Sequence, residues 1–288
     1  SRFTQEKKLN NAIRRRLIAA VQVNLTRDRV EQCYIGETSL LDGFSLLTAQ
    51  DMFEENIRTM VNDEDIARYC AKMAPSTIRN AYDHGSDWTM TTYRRKDKNG
   101  NVRWATLSCV LMAEPVSGDL YGFSYVQDVD HIKRWELSLP VKVERDPETR
   151  LYTKNTAPAL AQHVLRETSA PSRVCAMMAV DFSSLRDVVE KISYSMGSRA
   201  ILTLGRLFRF LLDEDCIVGR DDDYRFTIFM PAEASRKKAE MTVRDLIDNV
   251  ERMRDAVSVS EPLCLYVGVA IANRREADEQ TLYAQAIR

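Results

Sequence analysis

The chain has 288 residues, more than a single core usually gathers and enough for two domains. Hydrophobic residues make up 44% and charged residues 29%, an ordinary globular balance, and 10 Gly with 8 Pro exclude collagenous or low-complexity architecture. Lys and Arg number 41 against 42 Asp and Glu, so the formal net charge of −1 gives no electrostatic case for nucleic acid or for an anionic membrane surface. No apolar run reaches the ~18 residues that suggest a membrane span, and no signal peptide opens the sequence. The six Cys, at 33, 70, 109, 175, 216 and 264, form no Cys-x-x-Cys pair. They are expected as free thiols in a reducing cytoplasm, not as a disulfide framework or a zinc site. The chain opens and closes in helical patterning, and a membrane anchor or a further domain beyond these residues is an expectation.

Leu9, Ile13, Leu17 and Val21 are spaced for one face of a helix over 6–21, with Arg14, Arg15 and Arg16 on its solvated side. A β-rich stretch follows from Val21 to about Leu47. Residues 50–82 read as short helices broken at Pro75. Asp87–Arg95 alternates, Asn99-Gly100 is a strong hairpin signal, and Val102–Ala113 is the return strand. Ser117-Gly118-Asp119 makes another turn before a strand over Leu120–Val129. Residues 131–145 read as a connector helix interrupted by Pro140, with Ile132, Trp135 and Leu139 on one face suited to packing against a second copy.

The second half alternates. A helix over 156–167 leads to a buried strand, Arg173–Phe182, then helices over 184–195 and 198–213. Cys216–Pro231 reads as a β-hairpin turning at Asp221-Asp222-Asp223. A helix over 233–256, a strand over Leu263–Ala272 and a last helix from about Asp278 complete the chain. The fold class is α+β, with one curved antiparallel sheet in the first half and a mixed sheet covered by helices in the second. Domains are expected at 1–130 and 146–288, joined by 131–145.

The first half resembles a PAS sensor domain. The resemblance is carried by the polar hairpin Tyr93–Val102 with Trp104 on the return strand, and by Tyr121–Asp130, a strand ending Asp128-Val129-Asp130. The second half resembles a GGDEF domain, the catalytic domain of diguanylate cyclases. Arg145-Asp146-Pro147-Glu148-Thr149-Arg150-Leu151-Tyr152 is similar to the family's entry motif RDxLTGLYNR. Ala179-Val180-Asp181-Phe182 is similar to its metal-bearing strand, Gly197 and Ile201 to its GD-containing helix, and Arg220–Phe226 to RYGGDEF. Tyr266–Ala270 is similar to the late SxGxA strand and Leu282-Tyr283 to the final helix. These anchors fall in order, and the two resemblances together cover nearly the whole chain.

In that family two GTP-loaded domains meet, and carboxylate-held metals neutralise phosphates and activate a hydroxyl. The resemblance implies that Asp181 occupies the first metal-ligand position. It implies that Asp222, Asp223, Tyr224, Arg225 and Phe226 occupy the signature hairpin, so a phenol and a cation stand where the family has acids. Arg225 beside Asp181 is expected to form an internal ion pair where metal would sit. The guanine-contacting Asn and Asp fall on Val189 and Ser198, and the phosphate-contacting Lys falls on Ala286. The product-inhibition motif RxxD falls on Asp213-Glu214-Asp215-Cys216 and lacks its basic residue. The expected function is a regulatory module of a bacterial cyclic di-GMP signalling protein. Its GGDEF half is inactive and relays a PAS signal to a partner or to a C-terminal domain, of which an EAL domain is the first expectation.

Asp221, Asp222 and Asp223 are read as a solvated turn, with Asp tolerated at unusual φ, ahead of a non-standard metal site. His84, His131 and His163 are read as structural ahead of haem ligands. Trp88, Trp104 and Trp135 are read as core. No cofactor is expected in the second half, and the PAS ligand is left open. A homodimer is expected, with neither nucleic acid nor membrane as partner. A divergent active nucleotide cyclase using Asp181 and the acidic turn, and a ligand-free interaction scaffold, are the competing readings.

Overall fold

The computed structural model describes residues 17–35, 38–39, 48–97, 99–167, 174–183, 186, 194–213, 215–231, 236–257, 264–273 and 277–287. Most of the expected helix over 6–21, the Arg14–Arg16 cluster and most of the segment 184–195, Val189 included, lie outside these residues. The chain divides into two compact units, 1–130 and 131–288. Among the described residues, no helix is long and apolar enough to cross a membrane.

The first unit is built on a six-stranded antiparallel sheet in the order β3-β2-β1-β6-β5-β4. Its strands are β1 (Ala19–Asn24), β2 (Arg29–Ile35), β3 (Thr38–Ser39), β4 (Trp88–Lys96), β5 (Val102–Ala113) and β6 (Leu120–Asp128). Strand β1 overturns the end of the expected helix. Ala20 and Val23 are buried, and Val21 pairs with Cys33 on one side and Ser124 on the other. Two-sided ladder pairing of a central strand outweighs a four-residue apolar spacing that several periods can share. The expected β4–β5 hairpin forms, pairing Trp88 with Val110 through to Lys96 with Val102. Its turn is held by the Asp97 carboxylate, which accepts from the amides of Asn99 and Asn101 at 2.8 Å, and Gly100 takes φ +82°.

Among the described residues, three α-helices lie between β3 and β4: α1 (Ala49–Thr59), α2 (Ile66–Met73) and α3 (Pro75–Asp83). Thr48 starts α1 with a reciprocal capping box, its hydroxyl accepting from the Asp51 amide while Asp51 accepts from the Thr48 amide. Pro75 is the first residue of α3, where its missing N–H costs nothing. Val23, Leu25, Tyr69, Met73, Tyr93 and Leu111 join one core between helices and sheet, with the Tyr69 and Tyr93 rings edge-on at 4.9 Å.

The second unit carries a five-stranded sheet in the order β11-β8-β10-β9-β7. Its strands are β7 (Tyr152–Thr153), β8 (Val174–Asp181), β9 (Ile217–Arg220), β10 (Arg225–Met230) and β11 (Tyr266–Asn273). Among the described strands, only β7, which sequence patterning missed, runs parallel to its neighbour β9. Among the described residues the helices are α4 (Asp130–Ser138), α5 (Thr156–Glu167), α6 (Tyr194–Leu211), α7 (Arg236–Val257) and α8 (Glu279–Ala286). Strand alternation gives the sheet two apolar faces. Met178, Val180, Phe226, Ile228 and Met230 pack with Leu204, Phe208 and Leu246 from α6 and α7. Met177, Ala179, Thr227 and Phe229 point the other way, towards α5 and α8. On that face a Cβ at Gly219 would lie 2.6 Å from the Cβ of Ala157.

The 131–145 segment is helical only as far as Ser138 and groups with the second unit. Ile132 and Trp135, expected to face a second copy, are each only 7% exposed within this chain. Glu136 is buried too, and accepts from Lys133 Nζ at 2.5 Å, from the Tyr152 hydroxyl at 2.6 Å and from Arg145. A helix anchored by a buried carboxylate has its inward face already committed. The histidines have local partners: His84 with the Asn80 carbonyl, His131 with Asp215 and His163 with Ser138, each at 2.7 Å. Of the six free thiols, those of Cys33, Cys109 and Cys175 are buried and that of Cys264 is exposed.

Candidate functional site

The β9–β10 hairpin places its residues at one end of the second sheet. Register sets the central pair: Arg225 on β10 stands opposite Asp181 on β8, followed by Phe226 opposite Val180. Arg225 Nε donates to Asp181 Oδ2 at 3.3 Å. Asp181 Oδ1 accepts from the Ser183 amide at 2.7 Å. Burial pushes the Asp181 carboxyl up, but the Ser183 amide and hydroxyl and the Arg225 guanidinium outweigh it and hold the group below the usual carboxylate range. Arg225 is raised by its bond to Asp181 and by Asp222 nearby.

Each side chain of the acidic turn has a separate task. Asp222 Oδ1 accepts from the amides of Tyr224 at 2.9 Å and Arg225 at 2.8 Å, closing the hairpin as an Asx turn. Asp223 is exposed. Asp221 corrects the expectation of a solvated turn. It is partly buried, its Oδ2 accepts from the Tyr283 hydroxyl at 2.9 Å and its Oδ1 from Thr227 Oγ1 at 3.2 Å. None of the three takes a positive φ, which among the described non-glycine residues occurs only at Asp28 and Arg150. Tyr224 packs its ring against the core, under the Arg186 guanidinium at 5.4 Å. Phe226 is fully buried against Phe182 and Phe208.

Arg220, which sequence reasoning placed only as a motif letter, fastens the hairpin to the entry motif. Its Nη1 donates to Asp146 at 3.0 Å and Glu148 at 2.7 Å. Its Nε and Nη2 donate to the carbonyls of Asp222 and Asp223. Burial alone would lower this guanidinium, and the two carboxylates reverse that and raise it. Arg145 stacks on the Tyr152 ring at 4.1 Å and donates to its hydroxyl at 2.9 Å.

The remaining predicted positions fall apart from this cluster. Val189 lies outside the described residues, and Ser198 falls on α6. Ala286 is buried, and its carbonyl oxygen lies 1.6 Å from where a Cβ at Gly268 would stand. In the Asp213–Cys216 stretch, Asp213 pairs with Lys238 and Asp215 with His131.

A divalent metal does not fit the residues present. It needs about six oxygen ligands converging on one point. Here Asp181 faces a guanidinium, while Asp222 is taken up by its own turn amides and Asp221 by Tyr283 and Thr227. Among the described residues, no group of three or more His, Cys, Asp or Glu side chains is arranged to hold a metal. Glu279, which sequence reasoning left aside, and Tyr283, which it placed only as part of the final helix, line a cleft beside Asp221. The available signal was Asp278, whose carboxylate accepts from the Thr281 amide and fixes the start of α8.

No protein-family model matches this chain, and no curated protein matches it in sequence. Solved structures with similar chains include GGDEF domains and proteins that contain one. The FimX GGDEF domain of Pseudomonas aeruginosa is 19% identical with a TM-score of 0.43, covering 50% of this chain and 89% of that one. The GGDEF domain of DgcB from Caulobacter crescentus, in complex with c-di-GMP, is 13% identical with a TM-score of 0.44, covering 51% and 88%. The S helix-GGDEF-EAL structure of Vibrio cholerae LapD, bound to c-di-GMP, is 17% identical with a TM-score of 0.41, covering 54% of this chain and 33% of that one.

Proposed function

We propose that this chain is a relay module of cyclic di-GMP signalling, in which a PAS-type unit governs a GGDEF-type unit that does no nucleotide chemistry. The observation that carries this reading is the Arg225–Asp181 ion pair. Phosphoryl transfer depends on cations positioned against phosphate charge by carboxylates. Here the carboxylate that would bear metal is engaged by a guanidinium from the same sheet, and Asp222 is engaged by the backbone of its own turn.

In the same reading residues 1–130 are the PAS-type sensor, supported by a single antiparallel sheet with helices inserted between β3 and β4. The chain works as a cytoplasmic homodimer, and the change passes through 131–145. That segment is joined to the entry motif by Glu136, which accepts from both Arg145 and Tyr152. The receiver is a partner protein or an EAL-type domain, the arrangement named for the LapD structure.

The test is incubation of the full chain with GTP and Mg²⁺ or Mn²⁺, with mass spectrometry for cyclic di-GMP and an active cyclase as control. Absence of product alongside a productive control is the expected result. Product formation would show a working metal site and overturn the reading.

A further inference from the structure

The sheet face towards α5 and α8 retains a cleft of about 290 Å³. Its walls are largely carbon: Ala157, Pro158 and Ala161 from α5, with Met177, Ile217 and Phe229 from the strands. Two carboxyls stand among them. Asp221 accepts from Tyr283 and Thr227. Glu279, the first residue of α8, is only 7% exposed. Its amide is held by Gln162 Oε1 at 3.2 Å, but its carboxylate has no hydrogen-bond or ion-pair partner among the described residues. Burial, then the negative charges of Asp278 and Asp221, push Glu279 above the usual carboxylate range. Burial likewise pushes Asp221 up.

A buried carboxylate without a partner is costly, and natural proteins pair or ligate such groups. The other charged side chains of the cleft are Asp222, Arg225 and Lys154. Arg225 is engaged with Asp181, and the Lys154 side chain is exposed to solvent. The chemistry of the lining decides the kind of cation. A divalent ion would need about six convergent oxygens. The hydroxyl protons of Tyr283 and Thr227 already point at Asp221, and most of the wall is hydrocarbon. An organic cation matches both parts, because its charged head can reach the acids while its stem lies on carbon. The volume is at the lower end for small-molecule sites, which suits a ligand with a short stem.

We propose that this cleft binds a small primary alkylammonium or alkylguanidinium ion, with its head between Glu279 and Asp221 and its stem along Ala161, Met177 and Phe229. The site borders the Arg225–Asp181 pair through Arg225 but does not depend on whether the chain makes cyclic di-GMP.

The test is calorimetric titration of the full chain with n-butylammonium chloride and n-butylguanidinium chloride, with n-butanol as the neutral isostere. Saturable binding of at least one cation with a Kd of about 1 mM or tighter is expected, with none for butanol. Glu279→Gln should weaken binding by roughly tenfold or more without lowering Tm, because it removes an unpaired buried charge. Asp221→Asn provides a second variant with the same expected direction, and Ala161→Phe should abolish binding by filling the cleft. Lys154→Ala, which removes a competing cation from the cleft, should bind at least as tightly as the parent. The proposal is overturned if neither cation binds, if butanol binds as well, or if Glu279→Gln binds as tightly as the parent. It is also overturned if binding appears only in Lys154→Ala, which would make Lys154 the cation that the cleft holds.

Discussion

Arg225 and Asp181 face each other across the β10–β8 ladder, with Nε 3.3 Å from Oδ2. Opposite charges directly across an antiparallel pair stabilise each other modestly, and the Arg225 side chain is 46% exposed. Arg225→Ala should therefore cost less than about 1 kcal/mol while moving the Asp181 carboxyl upward, as read by pH titration of its NMR signal. Arg225→Glu should go further and create Mn²⁺ affinity that the parent lacks, visible as paramagnetic broadening around Asp181 and Ser183. Mn²⁺ broadening of equal strength in the parent would show that the ion pair does not block a cation.

Arg220 has a different weight. Its side chain is only 11% exposed and bonds two carboxylates and two turn carbonyls. Arg220→Met keeps most of the stem but leaves Asp146 and Glu148 without their cation. A loss of about 2 kcal/mol is expected, measured as a fall in the urea midpoint. An unchanged midpoint would mean that the hairpin is held without this staple.

Arg150 occupies φ +61°, a left-handed conformation that costs a residue with Cβ about 1–2 kcal/mol relative to glycine. It stands where the entry motif of the resembled family has Gly. Burial, followed by the charges of Arg145, Arg206 and Arg150, pushes Arg209 down to about 9, so Arg150 also adds like charge to a crowded site. Arg150→Gly should raise stability by about 1 kcal/mol, seen as a higher Tm. A lower Tm would show that the arginine side chain contributes more than its backbone strain removes.

The pH dependence of stability should have two limbs of opposite sign. Burial raises Asp146, but the Thr149 amide and hydroxyl and Arg220 outweigh it, and Asp181 is lowered in the same way. Their stabilisation is full above the ordinary carboxyl range and lost as pH falls through their depressed folded values. Glu279 and Asp221 are raised, so their contribution is present below the ordinary range and lost as pH rises through their elevated folded values. Stability should peak at mildly acidic pH. Glu279→Gln should flatten the limb towards neutrality and leave the acid limb alone, as checked by urea unfolding across a pH series.

Gly268 on β11 lies under α8, and a Cβ there would meet the Ala286 carbonyl carbon at 2.8 Å as well as its oxygen. Both neighbouring atoms are backbone and cannot rotate away. Gly268→Ala should cost about 1–3 kcal/mol through displacement of α8, with a lower Tm and weaker burial of Leu282 by hydrogen exchange.

Much of the architecture was legible from local pattern. Strands β4, β5 and β6 lie where alternation and turn residues placed them, because a half-buried strand writes its period into the sequence. Helices α5 and α7 and the β9–β10 hairpin follow closely for the same reason. Strand β7 did not show itself: Tyr152–Thr153 is two residues long, and its pairing with Gly219 and Arg220 is visible only once the chain is folded. The β-rich stretch expected from Val21 begins earlier, at Ala19, because the spacing of Leu17 and Val21 fits a helix as well until β2 and β6 are present to pair with β1.

The sequence by itself determined which residue types stand in the signature hairpin, and the approach of Arg225 to Asp181 follows once antiparallel register is fixed. Only the tertiary structure decided what Asp221 and Glu279 do. They are 58 positions apart, and nothing in the spacing of either predicts a shared cleft. Packing of α8 against the sheet buries Glu279 and partly buries Asp221, gives Asp221 the Tyr283 hydroxyl and leaves the Glu279 carboxylate without a partner among the described residues. Burial and partner supply are properties of packed surfaces, so they are settled only when the chain closes on itself.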